Sequence, residues 1–136
     1  MSIIKESSHP IWGEIVLRED EEQWEVSEVH FWENVGKIEV RFSIPDLESS
    51  VVQDNFLSIR NRWEEIWSSI QSRTKLIIEE YDEYIDDLDL SEDYFEVSLP
   101  EESINDGVDW SVTLQSHIGW LLDFEGWENS GEQGIF

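Results

Sequence analysis

The fold is decided by residues 50–88, which have the sequence SVVQDNFLSIRNRWEEIWSSIQSRTKLIIEEYDEYIDDL. Apolar and aromatic side chains recur there at spacings of three and four, which places them on one side of an α-helix. Ser49 or Ser50 is a suitable N-cap, and no Gly or Pro interrupts the segment. The pattern therefore predicts one continuous helix of up to ten turns. Its apolar positions are Val52, Phe56, Ile59, Trp63, Ile66, Ile70, Thr74, Ile77, Tyr81, Tyr84 and Leu88.

Segments of period-two alternation lie on both sides of the predicted helix. Before it they are residues 11–17, 23–32 and 37–44, and Pro45 ends the third. After it they are residues 94–99, 109–117 and 119–127. We therefore predict a single α+β domain over residues 1–136, with antiparallel strands in the order β-β-β-α-β-β-β packed on one long helix. It would comprise a meander over about 11–44, the helix over about 50–88, and a second meander over about 94–136.

Composition limits the possible partners. The 136 residues include 39% hydrophobic residues and eight Trp, so we expect a folded chain with a substantial core. Thirty-three acidic and eight basic residues give a formal net charge of −25. Such a charge repels nucleic acid and anionic membrane surfaces and attracts cationic surfaces. The composition predicts no nucleic-acid or membrane binding and favours a basic protein partner.

The N-terminal residues and the absence of cysteine bear on location. The chain begins MSIIKESSHPIW, with no long apolar run and no small-residue cleavage site, and we expect no signal peptide. No later segment has the about 18 consecutive apolar residues that a spanning helix needs. Without cysteine there are no disulfides and no thiolate sites. These observations predict a cytoplasmic protein, and they do not indicate an oligomeric state.

Catalytic and metal-binding motifs are scarce in this sequence. His9, His30 and His117 are dispersed and match no metal-ligand spacing, and the glycines form no phosphate-binding loop. An EF-hand loop starting at Asp87 would place Glu92 where glycine is required and Ser98 where a bidentate Glu is required. We therefore predict no enzymatic activity, no cofactor and no tightly bound metal.

The acidic run at residues 79–93, EEYDEYIDDLDLSED, has nine carboxylates and no base. Carboxylates near a helix C-terminus oppose the helix dipole, and like charges four residues apart repel each other. Stability therefore does not explain the run, and one interpretation is a surface for a basic partner with tyrosines as anchors. The alternative is a solvated helix end. The predicted partner-binding residues are Asp82, Glu83, Asp86, Asp87, Asp89, Tyr81 and Tyr84, with Tyr94 as a further aromatic candidate.

The chain resembles a loose group of small bacterial α+β proteins, several of which occur beside toxin genes as immunity proteins. The resemblance rests on IWGEIVL (11–17), VVQDNFLSIRNRWEEIWSSI (51–70) and LLDFEGWENSGEQGIF (121–136). It implies this fold and an inhibitory role without an active site. Presenting carboxylates where a basic nuclease toxin expects phosphates would be the mechanism.

Two other interpretations remain open at this point. The chain could be a regulatory or scaffold domain whose acidity only serves solubility, or its surface could be adapted to high salt. Acids also occur outside 79–93, for example in REDEEQWE at 18–25, so their clustering does not separate these interpretations.

Overall fold

A computed structural model describes residues 3–19, 22–32, 36–80, 94–115 and 120–133 of the chain. The element order is β-β-β-β-α-α-β-β-β-β. The first four strands are β1 (Ile3–His9), β2 (Gly13–Arg18), β3 (Trp24–Trp32) and β4 (Gly36–Ile44). The helices α1 (Ser50–Asn61) and α2 (Trp63–Glu80) follow. The last four strands are β5 (Tyr94–Ser98), β6 (Asp109–Gln115), β7 (Trp120–Glu125) and β8 (Glu128–Gln133).

The eight strands form one sheet in which spatial order follows chain order. Every neighbouring pair is antiparallel except β4 and β5, which are parallel. A parallel pair requires a crossover connection, and the helical segment supplies it. The α+β class is confirmed, but the predicted six-strand order is wrong. The sequence pattern did not predict β1 and β8, because they contain few apolar residues. Each is held by backbone pairing to a single neighbouring strand.

The two faces of the sheet differ in chemistry. The inner face packs on the helices: the rings of Phe42 and Phe56 lie 5.2 Å apart, and those of Phe95 and Trp67 lie 5.8 Å apart. We call the opposite side the outer face; it carries Glu39, Arg41, Glu96, Asp109 and Glu125. Alternation along each strand produces this division, in agreement with the period-two pattern at 23–32 and 37–44. The inner-face strand residues of the core are Ile15, Val26, Ile38, Val40, Phe42, Ile44, Phe95, Val97, Trp110, Val112, Leu114, Leu122 and Phe124.

The prediction of one uninterrupted helix is wrong. The helix breaks at Arg62, whose backbone N–H is shared between the carbonyls of Ser58 at 3.1 Å and Ile59 at 3.2 Å. This sharing tightens the last turn of α1, while α2 continues with Ile66 N–H bonded to the Arg62 carbonyl. The apolar spacing is the same on both sides of the break, so periodicity could not locate it. Neither helix is long and apolar enough to cross a membrane.

The N-terminus of α1 is capped as predicted and receives the first hairpin. Ser49 is the N-cap, and its hydroxyl accepts from the Val52 N–H at 3.3 Å. Trp12, at the tip of the β1–β2 hairpin, donates its indole N–H to the Leu47 carbonyl at 3.0 Å. Its ring also lies 4.7 Å from that of Phe56. The hairpin tip is therefore fixed to the start of α1.

A buried amide joins α1 to the β5–β6 connection. Asn55 is 4% exposed, and its side-chain oxygen accepts from the Ile104 N–H at 3.0 Å. Its amide nitrogen donates to the carbonyls of Glu102 at 2.8 Å and Pro100 at 3.2 Å. One side chain thus satisfies three backbone groups of a connection that has no strand partner of its own.

We predict that Asn55→Ala lowers the free energy of unfolding by about 2–4 kcal/mol, because three backbone groups lose their partner and one of them belongs to buried Ile104. Chemical denaturation followed by tryptophan fluorescence would measure the change. The control is Asp54→Ala, a change at the exposed neighbouring position, which should shift stability by less than about 0.5 kcal/mol. Equal effects of the two substitutions would contradict the tethering role of Asn55.

Candidate protein-binding surface

Charge is distributed unevenly along the chain and therefore across the sheet. Lys75 is the last basic residue, and the following 61 residues contain eighteen acids and no Lys or Arg. The strands β5 to β8 belong entirely to this base-free part. Since strand order follows chain order, the acidic half of the sequence becomes one half of the sheet.

Three carboxylates form a row across β6, β7 and β8. Asp109 lies directly opposite Glu125, and Glu125 lies directly opposite Glu128. Directly opposite residues project to the same face, and all three are exposed. Like charges in this arrangement destabilise a sheet, typically by a few tenths of a kcal/mol per pair. The row, which we call the acidic row, is therefore a feature that folding stability does not explain.

The β7–β8 turn fixes the position of the acidic row. Gly126 has a left-handed φ of 58°, and its N–H donates to the Val108 carbonyl at 2.9 Å. Its carbonyl accepts from the indole N–H of Trp110 at 2.6 Å. A Cβ at position 126 would lie 3.3 Å from the Gly107 Cα, so the two loops are in close contact. Glu125 and Glu128 thus flank a turn that is hydrogen-bonded to the loop before β6 and to the buried side chain of Trp110.

The half of the outer face around β2–β4 has a different character, because its acids Glu25 and Glu39 are paired with arginines. Glu25, only 9% exposed, lies 2.7 Å from Arg18 and 3.7 Å from Arg41. Arg41 also donates to Glu39 at 2.6 Å. Burial raises the pKa of Glu39, but the hydrogen bond and charge of Arg41 outweigh it and hold that pKa below its usual value. This network neutralises its own charges, in contrast to the acidic row.

The tyrosine proposed as a further anchor belongs to this paired network. The Arg41 guanidinium lies 3.6 Å from the centre of the Tyr94 ring, a cation–π contact. Burial raises the pKa of the Tyr94 hydroxyl above its usual value. Tyr94 is therefore already engaged within the sheet.

The seven partner-binding residues predicted from the acidic run lie outside the residues that the structure describes. They are Asp82, Glu83, Asp86, Asp87, Asp89, Tyr81 and Tyr84. The acidic row was missed by sequence reasoning, although Asp109 and Glu125 lie in predicted strands. The absence of bases after Lys75 would have directed attention to this half of the chain. The strand register was also needed to place the three acids side by side.

A second cluster of titratable groups lies on the inner face, at β3 and the helix break. His30 Nε2 and a Glu28 oxygen are 3.1 Å apart, and the other Glu28 oxygen accepts from Arg60 at 3.0 Å. The His30 ring packs at a tilt of 31° against that of Trp63, with centroids 4.6 Å apart, and lies 5.7 Å from the ring of Trp67. The hydrogen bond from His30 lowers the pKa of Glu28, burial opposes it, and Arg60 lowers it further. His30 is thus a packed histidine.

The region of the helix break also contains an open cavity of about 460 Å³. Arg60, Arg62, Trp63 and Glu64 are among its lining residues. Both acidic and basic side chains line this cavity, and the Arg62 guanidinium lies 4.4 Å from the Trp127 ring. Among the described residues, no group of three or more His, Asp or Glu side chains could hold a metal ion.

We predict that Glu125→Lys raises the free energy of unfolding by about 0.5–1.5 kcal/mol, because it replaces two like-charge pairs with two opposite-charge pairs. Urea denaturation at low ionic strength would measure the gain, and added salt should reduce it. Glu101→Lys makes the same charge change at an exposed loop position and serves as the control. A gain no larger than that of the control would contradict local repulsion in the row.

We also predict that the Glu28 carboxylate contributes pH-dependent stability. Because its pKa is lower in the folded than in the unfolded state, the contribution is present above the unfolded pKa of about 4.3 and is lost as pH falls through the folded value. Glu28→Gln should therefore destabilise the protein at neutral pH, and its difference from the wild type should shrink as the solution becomes more acidic than about pH 4.3. Denaturation at a series of pH values would test this. A difference that stays constant through that interval would contradict the assignment.

Comparisons with known proteins found no relative of the chain. No family model matches it, and neither a curated protein nor a solved structure does. The function of the chain is therefore inferred from its own charge distribution and geometry.

Proposed function

We propose that the chain is a non-enzymatic protein-binding module that presents an acidic surface to a basic protein, such as an immunity protein against a nuclease toxin. The observation that carries this proposal is the acidic row, in which Asp109, Glu125 and Glu128 lie side by side and exposed. Their mutual repulsion opposes folding, and a cationic partner would relieve it. Binding and charge placement are then explained together.

The electrostatics of the whole chain support the same role. A net charge of −25 would accelerate the approach of a basic protein, and such steering raises association rates by about 10–10³. The row would then set where the partner docks, since close charge pairs strengthen with desolvation. A nuclease is a suitable partner because its active surface is built to contact phosphates, which the carboxylates would replace.

The acidic run at 79–93 remains part of the proposal on the basis of its charge. In the sequence it directly precedes Tyr94, the first residue of β5, which pairs with Gln115 at the opposite end of β6 from Asp109. We expect it to extend the acidic surface toward that end of the sheet, with Asp82, Glu83, Asp86, Asp87 and Asp89 as its contributing acids.

The alternative is a regulatory or scaffold domain whose acidity serves solubility or high-salt adaptation. One observation favours it: exposed acids also occur far from the acidic row, including Glu14 on β2 and Glu64 and Glu65 on α2. If the acids form a general coat, the association rate should not depend on which acids are reversed. If they form a binding surface, reversing the acids of that surface should slow association more than reversing others.

The decisive experiment compares two triple variants with equal charge changes. The first reverses the acidic row (Asp109→Lys, Glu125→Lys, Glu128→Lys), and the control reverses exposed helix acids (Asp54→Lys, Glu64→Lys, Glu65→Lys). The binding probe is the basic nuclease domain that the proposal predicts to be encoded beside the gene for this chain, and stopped-flow fluorescence at several salt concentrations gives the association rate. We expect the row variant to associate at least about tenfold more slowly at low salt, with a flatter salt dependence. The control should change much less.

Equal slowing by both variants would favour the acidic-coat alternative and contradict a defined surface. The acidic run has its own test, in which all five of its acids named above are reversed. If that variant keeps the wild-type association rate and salt dependence, the run does not belong to the binding surface.

A further inference from the structure

Two neighbouring outward positions of β3 carry exposed apolar side chains. Val29 is 64% exposed and Phe31 is 69% exposed, the highest values among the large hydrophobic residues that the structure shows as exposed. They are two positions apart on one strand, so they project together from the outer face. Scattered exposed hydrophobics are ordinary, but an adjacent pair on a sheet face is typical of a contact surface.

Val29 and Phe31 have no neighbouring side chains on one side because β2 pairs with only the first part of β3. In the described chain, β2 pairs with β3 at Val16 and Glu25 alone, whereas β4 pairs along all of β3. The β1–β2 hairpin turns instead toward α1, where Trp12 docks. No β2 side chain therefore lies in register beside Val29 and Phe31.

The charges next to the pair differ from those of the acidic row. On β4, Glu39 lies directly opposite Val29 and Lys37 lies directly opposite Phe31. Around the pair, Arg18, Arg41 and Lys37 offset Glu25 and Glu39, while Glu6 and Glu14 lie on the β1–β2 hairpin, so the surroundings of the pair are close to neutral. A basic partner would gain little here, while a second copy of the acidic chain would meet less repulsion here than at the acidic row.

We propose that this patch, formed by Val29, Phe31, Lys37 and Glu39, is covered by a second copy of the same chain. The patch consists of two cross-strand pairs, Val29 with Glu39 and Phe31 with Lys37. A two-fold axis that lies parallel to the sheet face, perpendicular to the strands and midway between these pairs would place each pair of one copy over the other pair of the second copy. Val29 then faces Phe31 of the second copy, and Glu39 faces Lys37 of the second copy. An apolar centre with opposite charges exchanged by the axis is what a self-complementary two-fold interface requires.

This inference is independent of the proposed function and leaves the acidic row accessible. In the base-free half, β6–β8 lie at the far side of the sheet from β3. Through Tyr94, Glu39 is level with Gln115, and Asp109 lies six residues further along β6. A dimer formed through the patch would therefore leave both acidic rows beyond the interface along the strand direction.

Sedimentation equilibrium of the purified chain at physiological ionic strength tests the proposal directly. We expect a monomer–dimer equilibrium that added salt strengthens, because screening reduces the repulsion between two acidic chains. The double variant Val29→Thr, Phe31→Ser should weaken dimerisation by roughly thirtyfold or more, as expected for an aromatic anchor at the centre of an interface. Leu76→Ser removes an exposed apolar side chain from α2 and should leave the equilibrium unchanged. A wild-type chain that stays monomeric at sub-millimolar concentration would overturn the proposal.

A charge-exchange experiment tests the predicted geometry. Lys37→Glu and Glu39→Lys should each be monomeric, because every exchanged pair then joins like charges. Mixed in equal amounts, the two variants should form a heterodimer, since both opposite-charge pairs are restored. Circular dichroism would verify that each variant folds, which matters for Glu39 because it also bonds Arg41. A mixture of folded variants that remains monomeric would contradict the interface. If the wild type is monomeric and the Val29/Phe31 double variant loses binding to a basic nuclease domain, the patch is covered by that partner and not by a second copy.

Discussion

The parallel pairing of β4 with β5 is the constraint on which the rest of the structure depends. It joins two antiparallel four-stranded units into one sheet, and its register places Val40 beside Phe95 and Phe42 beside Val97. All four side chains are fully buried beneath the helices. A slip of β5 by one residue would turn Phe95 and Val97 outward and bring Glu96 into the core, so the hydrophobic alternation strongly specifies the register.

The fixed register also determines the chemistry of the outer face. Because the inner positions are taken by the core, the polar residues of every strand are aligned in rows on the other side. In the first unit these rows bring acids and bases together, and Glu25 receives two arginines. In the second unit the same geometry brings acids together, since no base is present there. One sheet therefore carries a half in which acids and arginines are paired and a half that contains no Lys or Arg.

The features predictable from the sequence are those that periodicity encodes. Alternation identified β3 and β4 and their buried faces, and the spacing of three and four identified the helical region and its Ser49 cap. The break at Arg62 keeps the same spacing on both sides, so no pattern marks it. In β1 and β8 few side chains contribute to a core, and pairing along the backbone defines them. The acidic row depends on register between strands, which composition cannot supply, and Asn55 became recognisable only when the loop it holds was placed beside α1.

The location of Lys75 as the last basic residue has a practical consequence for anyone who handles this molecule. Trypsin has no Lys or Arg cleavage site in the final 61 residues, so the entire second half of the sheet would be released as one long peptide that standard mass mapping recovers poorly. Lysine acetylation, ubiquitin transfer and amine-reactive dyes are confined to the first 75 residues for the same reason. Carbodiimide activation of carboxylates is the labelling chemistry suited to the other half, and it would link that half to the lysines of whatever molecule rests against it.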